Sequence, residues 1–425
     1  TQFGEGEMDG SSWEQALDVA GFRKLLSGSV DLSKSTIYMS QGKYVMSEES
    51  GLGVIVRKNV KAIKGGYSQF SEGTDVSARD IDAYVTVISG DVNGNKQADA
   101  GDCGLLLVKK GHIVIEGVTF QYGYVSEADA STTECGSGIY VSGGAGDTSI
   151  ELTDCVIRDC TSAVTTSAKQ GGPAVFVLSG QVRLNKVNLL DNKAVGRGGA
   201  VRCSSKTAVV FMNGCLLKGN SHNGSWGNGI QMSEGHICIN NTTLIDNMGT
   251  GAALNGGGSI LLTNNTIIGN ASDSHGAVRC ETGAGGDTKF INNLLISENP
   301  SAPSFNLNGS NFEAFSKGYN VYQRVTGITM SASDTAYPNP VNGTLNEKGV
   351  YVWDLNQIGS VKGYATKQAV IEVAKSFNPV ASPIADLGEV FVEWIGEDAF
   401  GIDQRGVTRN ANKMQAGAYD AVLTN

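Results

Sequence analysis

The chain has 425 residues, with 57 glycines and only 7 prolines, and is long enough to bury a large core. A net charge of −10 argues against nucleic acid and anionic membrane surfaces as partners. No run of 18 apolar residues occurs, so no segment reads as a membrane-spanning helix.

Residues 1–10 are acidic and glycine-rich and read as a loose arm. Ser12, with Gln15 three residues on, predicts a helix start ahead of Trp13–Leu26, where Trp13, Ala16, Leu17, Ala20, Leu25 and Leu26 form a ragged apolar stripe. Strands are expected at Thr36–Met39, Lys43–Val45, Gly53–Val56, Lys61–Lys64 and Val85–Ser89. The loop DVNGNKQADAGD follows. It sets Asp91, Asn93, Asn95, Asp99 and Asp102 at positions 1, 3, 5, 9 and 12, close to an EF-hand calcium loop. Lys96 replaces the usual glycine at position 6 and Asp102 the usual glutamate at position 12, which favours a plain polar hairpin as the competing reading.

From Gly136 to Asn299 one phrase recurs six times: CVIRDC, VNLLDN, CLLKGN, TTLIDN, NTIIGN and LLISEN, ending at residues 160, 192, 220, 247, 270 and 299. The spacings of 32, 28, 27, 23 and 29 residues, with alternating apolar residues and no helical period, define a solenoid of β-coils. Three residues before each end stand Ile157, Leu189, Leu217, Leu244, Ile267 and Ile296. Eight before stand Leu152, Leu184, Met212, Ile239, Leu262 and Ile291, and ten before, an apolar column runs from Ile150 until Lys289 breaks it. Positions two apart share a strand face. An earlier strand in each coil points Ile139, Val175, Val201, Ile230, Ala253 and Val278 inward. Three strands per coil predict an all-β fold, a single-stranded parallel β-helix. Its ends are a short N-terminal capping helix and an irregular C-terminal closing segment. The expected divisions are 1–27, 28–322 and 323–425, with GYNVY (318–322) as one more coil and a helix over 366–377 capped by Thr366.

Two polar columns, Cys160-Asn192-Asn220-Asn247-Asn270-Asn299 and Thr153-Asn185-Asn213-Asn240-Thr263-Asn292, mark tight corners where asparagine tolerates the left-handed conformation and stacks in ladders. Cys155 and Cys215 share a column two coils apart, as do Cys203 and Cys280 three coils apart. At about 4.8 Å per coil these pairs are too distant to bridge, so the four read as core thiols. Cys103 and Cys135 precede the first strands of neighbouring coils, where a disulfide is geometrically possible.

The outward column of the first strand reads Tyr140, Phe176, Arg202, Gln231, Leu254 and Arg279, with no carboxylate among them. Corner loops beside it carry Arg197, His222, Trp226 and His275. Aromatic platforms and guanidinium forks on an acidic protein predict a strip that binds an acidic glycan. The one acidic pair on adjacent coils, Asp159 and Asp191, has the spacing of a retaining glycosidase but lies at corners, where Asp is an ordinary turn former.

DGSSWEQAL (9–17), STIYMSQGKYVM (35–46), IKGGYS (63–68), VISGDVNGN (87–95) and HIVIEGVTFQYG (112–123) resemble the exported right-handed β-helix proteins of the pectin-lyase-like superfamily. More narrowly they are similar to polymorphic-outer-membrane-type surface proteins of Bacteroidetes. RGGAV (197–201), HGAV (275–278), Phe290–Asn293, SPIADLG (382–388), DQRGVTRN (403–410) and AGAYD (416–420) extend the resemblance to nearly the whole chain. It implies a right-handed helix and export to the cell surface or outer membrane, with any signal peptide or lipid anchor upstream of Thr1. The expected role is a monomeric, non-catalytic surface protein binding a polysaccharide or a host or matrix ligand. The alternatives are a pectate-lyase-like lyase or glycoside hydrolase, with calcium as its one candidate cofactor, and a purely structural surface module.

Overall fold

The computed structural model describes residues 9–49, 51–129, 136–144, 146–166, 170–224, 226–269, 275–281, 288–308, 316–337, 343–345, 351–353 and 361–419. Each coil contributes one strand to each of three parallel faces. In the regular coils the first face runs Ile139–Val141, Val175–Val177, Val201–Cys203, Ile230–Met232, Leu254–Gly256 and Val278–Glu281. The second runs Thr148–Thr153, Gly180–Asn185, Ala208–Asn213, His236–Asn240, Ser259–Thr263 and Thr288–Ile291. The third runs Val156–Arg158, Asn188–Leu190, Leu216–Lys218, Thr243–Ile245, Thr266–Gly269 and Leu294–Ser297. A short ladder, Tyr124–Ser126 to Ser221–His222, bridges the third face to the first. This is the right-handed parallel β-helix that the repeat and the resemblance foretold.

Most inward columns stack as expected, and two stretches differ by one residue. Leu254, not Ala253, pairs with Ile230 and Val278, so Asn255 replaces Leu254 in the outward column. In the last regular coil Ile260 pairs with Thr288, Leu262 with Phe290 and Ile267 with Leu295. Phe290 and Leu295 are therefore the core residues there, in place of Ile291 and Ile296. The apparent break at Lys289 vanishes, because Lys289 faces outward and donates to the Ser376 carbonyl. The last phrase carries one residue beyond the corner: the residue that stacks there is Glu298, whose amide donates to Gly269, and not Asn299. With period two, a one-residue slip exchanges every inward side chain for its neighbour.

Hydrogen-bond ladders inside the corners hold this register. Asn192 donates through its backbone N–H and Nδ2 to Asn220 Oδ1, at 3.0 and 2.9 Å, and Asn220 repeats both contacts on Asn247. A second ladder runs from Thr242 through Asn265, Asn293 and Asn320, each side-chain oxygen accepting from the preceding coil. It ends on buried Asp334, whose Oδ1 accepts both Asn320 donors and whose Oδ2 accepts from Ser316 and Ser331. A carboxylate is the fitting terminus, because the last acceptor of such a chain has donors on one side only and charge strengthens each bond.

Helix α1 spans Val19–Ser27 and begins with Asp18, whose side chain accepts from Gly21, instead of at Ser12. The expected first turn is lost to tertiary bonds: Trp13 donates from its backbone to Gly73 and from Nε1 to Asp75, and its ring packs on Tyr67. Helix α2, Lys367–Lys375, has the expected Thr366 cap. Together with α3, Leu387–Ile395, it does not sit on the end of the solenoid. The two pack along its flank, burying Ile371, Ala374, Phe391 and Val392 against outward Val209, Phe211, Cys238, Leu261 and Ile291 of the second face. Gln404, Arg409 and Gln415 then bond to the corners at Cys215, Asn241 and Asn292.

The ladder generates a stability prediction. Asn220→Ala leaves buried donors on Asn192 without their acceptor and should cost about 2–4 kcal/mol in denaturant unfolding, whereas exposed Asn95→Ala should cost less than about 0.5 kcal/mol. Equal effects would remove the ladder from its register-holding role.

Candidate functional site

The outward side of the first face reads Tyr140, Phe176, Arg202, Gln231, Asn255 and Arg279. Side chains of these types on a free surface would form the expected strip, but corner loops fold over much of it. Tyr140 and Phe176 are 0% and 1% exposed, in a cluster with Leu107, Val125 and Val164. They are core residues, and the expectation of exposed platforms is corrected: the apolar Val125 and Val164 of the corner segments cover them. Arg279 is turned into an ion pair with Glu281 at 3.3 Å.

Between these ends the loops leave one depression of about 210 Å³, lined by Gln170, Arg197, Arg202, Trp226, Gln231 and Ser233. Its floor is fixed. Arg202, 6% exposed, lies 5.5 Å from the Phe176 ring centre, with Nη1 donating to the Gln170 carbonyl and Nη2 to Ser233. Gln231 accepts through Oε1 from the Gly227 amide at 2.7 Å. The wall is exposed Arg197, whose guanidinium stands 5.7 Å from the Trp226 ring centre. Four of the nine expected ligand residues therefore meet in one place. Gln170 and Ser233 were not foreseen. The sequence marks an insertion at 161–170, yet nothing in it says that Gln170 comes to rest against Arg202.

The two histidines of the corner loops stand apart from the lining. His222 is buried, its Nε2 2.7 Å from Asn228 Oδ1 and its Nδ1 accepting from the Gly224 amide. Burial pushes its pKa below the usual imidazole value. His275 is half-buried, and burial followed by the Arg279 charge lowers it too. Asp159 and Asp191 both adopt φ of +54°, and Asp154 and Asp246 are likewise left-handed, at +51° and +55°. Asp159 Oδ2 is held by Arg158 Nε at 2.7 Å and Gln121 Nε2 at 3.2 Å.

In the 91–102 loop Lys96 takes φ of +63°, the conformation for which EF-hand loops use glycine, so that departure costs less than the sequence implies. Asp91 Oδ1 accepts from the Lys96 amide, Asn93 Oδ1 from Asn95 and Asn95 Oδ1 from Gln97. Asp102 accepts from Val92, Asn93 and Asp99, while both asparagine amides donate to Asp99. Lys43 Nζ lies 2.9 Å from Asp91 Oδ2. Among the described residues no three Asp, Glu, His or Cys side chains gather about one point, so a cation here would depend on the two asparagine oxygens. All five donors are hard oxygens and suit calcium chemically.

The cysteine columns are buried thiols: Cys155, Cys160, Cys203, Cys215 and Cys280 have their pKa pushed up to about 12 by burial, far from reactive thiolates. Cys103 is also buried, and the pairing with Cys135 falls outside the described residues. No helix of the described residues is long and apolar enough to cross a membrane.

A three-faced parallel solenoid with a loop-lined arginine pocket on its first face is the class that fold and site define. The family model for the right-handed beta helix region matches residues 81–295, half of the chain, and the chain belongs to that family. No curated protein and no solved structure matches it.

The corner aspartates carry a test. Asp159→Gly should keep stability within about 1 kcal/mol, because glycine accepts positive φ freely, whereas Asp159→Ala should lose about 1–2 kcal/mol through strain. Equal losses in thermal or denaturant melts would mean that the carboxylate, not the turn, is what the position requires.

Proposed function

We propose that this protein is exported to the cell surface and binds the acidic end residue of a glycan, without cleaving it, in the pocket of Gln170, Arg197, Arg202, Trp226, Gln231 and Ser233. One observation carries this reading. Two arginines and a tryptophan converge with no carboxylate in the lining, on a chain of net charge −10. A cationic recess on an acidic protein selects anions, and an arginine fork beside an indole face suits a carboxylated or sulfated sugar ring. At about 210 Å³ the recess is smaller than ordinary drug-sized pockets of about 300–1,000 Å³ and accommodates one ring. Burial of Tyr140 and Phe176 on one side, and the Arg279–Glu281 pair on the other, argue against a chain laid along several coils. The lining holds no carboxylate or imidazole, so it binds and orients without a general acid or base. The resemblance to polymorphic-outer-membrane-type surface proteins supports the surface role.

Calorimetry on a panel of uronate-ended, sulfated and neutral oligosaccharides tests the reading. Binding of acidic-ended members is expected, weakening as salt is raised. Arg197→Gln should weaken it at least about tenfold, the loss expected for one charge-assisted pair, and Arg279→Gln should leave it unchanged. New reducing ends or unsaturated uronate in the mixture, or binding indifferent to Arg197→Gln, would overturn it. A host or matrix protein, or a structural role, then becomes the better assignment.

Calcium belongs to this proposal at the 91–102 loop, with Asp91, Asn93, Asn95, Asp99 and Asp102 as ligands once Lys43 leaves Asp91 and the asparagine amides leave Asp99, so that the loop closes on the ion. The oxygen-only donor set and the left-handed Lys96 support it. Its action there would be to brace the loop, far in sequence from the pocket. Saturable calcium uptake with a raised melting temperature, both lost in Asp99→Ala, is the expected result; no heat at millimolar calcium sinks the assignment.

A further inference from the structure

The wall of the pocket hangs on one imidazole. The Gly224 N–H donates to His222 Nδ1 at 2.9 Å, so the ring proton sits on Nε2 and is given to Asn228 Oδ1 at 2.7 Å. These two bonds hold Gly224 and Asn228, on either side of Trp226 in the chain. Between them in the chain come Trp226, the face against which Arg197 stacks, and Gly227, whose amide holds Gln231 of the floor. The imidazole has little room to turn: its backbone N–H donates to Met248, and a Cβ built on Gly249 would lie 2.6 Å from Nε2.

We propose that neutral His222 is the positioning residue of this pocket, and that protonating it releases Trp226 and loosens the grip on ligand. A doubly protonated ring has no acceptor left for the Gly224 N–H, and two N–H groups then face each other. The added charge would also sit in a buried site. Charged and titratable side chains on the segments packed around it are Lys193 and Arg197 from the preceding coil, Asp246 from the following one and His275 one coil further. None of them is among the causes of the His222 shift, which are burial, Asn228 and the Trp226 backbone. The hydrogen bonds to Asn228 and the Trp226 backbone favour the charged ring, but burial outweighs them and no carboxylate adds to them.

The sign follows from the depressed pKa. A released, solvated histidine takes up a proton at about 6.5, and the pinned one only below that. The pinned wall is therefore fully favoured above about pH 6.5 and is lost as pH falls through the lowered value. The ligand part of this inference rests on the glycan reading; the wall part does not.

The two parts separate in one experiment on the full chain. Acrylamide quenching of Trp226, taken as the difference between wild type and Trp226→Phe, is followed from pH 8 to pH 4.5, with glucuronate affinity measured in parallel. Quenching should rise at least about twofold below pH 6.5 with far-ultraviolet circular dichroism unchanged, and glucuronate affinity should fall about tenfold with it. His222→Asn, which keeps an acceptor near Gly224 and cannot be protonated, should abolish the pH step in both. A step that persists in His222→Asn, or a wild type with no step, overturns the proposal. A quenching step with no glucuronate binding at any pH supports the positioning role and removes the ligand reading. If His222→Asn does not fold, NMR titration of the wild-type His222 ring against the Gly224 amide decides instead. The two must shift together, and independent titration overturns the proposal.

Discussion

Everything in this molecule depends on the registry of one coil above the next. A parallel strand can bury its side chains only if each apolar residue lies over another, and period-two geometry makes any slip exchange the core for the surface. Backbone ladders alone do not choose among registers, since every residue carries the same donor and acceptor. The choice falls to side chains that recognise their own kind: Asn192, Asn220 and Asn247 in one corner, and Asn265, Asn293 and Asn320 in another. Each amide satisfies a backbone N–H of the coil before it, so an asparagine out of step would leave buried donors bare. Apolar burial provides the bulk of the stability, while the amides provide the address.

That scaffold decides what the loops can do. Corners between the third and first faces vary in length, and their segments lie over the outward side of the first face. Where apolar residues arrive, as Val125 and Val164 do over Tyr140 and Phe176, the surface becomes a satellite core. Where Gln170 and Trp226 arrive, the cover is incomplete and a cationic recess remains. The same outward column is thus core at one height and candidate binding site two coils later. On the second face the outward residues turn apolar at Val209, Phe211, Cys238 and Leu261, and the C-terminal helices cover that stripe. A Cβ on Gly388 would fall 2.0 Å from the Ala374 carbonyl, so α2 and α3 can cross this closely only with glycine there.

The regular repeat made much of this readable in advance. Columns such as Ile157-Leu189-Leu217-Leu244-Ile267 and Cys155-Val187-Cys215 carry their own spacing, and both stack as written. Strand positions in the first coils and the Thr366 cap were legible for the same reason, since local chemistry fixes them. Reading failed where length, not pattern, mattered. The short loop before Leu254 and the final coil around Lys289 each shifted by one residue, because loops of unequal length hide the count between strands. The first helix starts at Val19, later than its local pattern implies, because Trp13 finds its partners at Gly73 and Asp75, some sixty residues away.

The sequence by itself determined the coil, its three faces, the inward columns of the regular coils and the corner column Asn192-Asn220-Asn247, because each depends on residue types at fixed short intervals. Only the tertiary structure decided which outward residues see solvent. Exposure of Tyr140, Phe176, Arg202 and Arg279 depends on where the ends of distant loops land, and no local pattern records that landing. The pairing of Arg197 with Trp226 and the hold of His222 on Gly224 and Asn228 belong to the same category. A column in a repeat tells which way a side chain points; it does not tell what another part of the chain will lay across it.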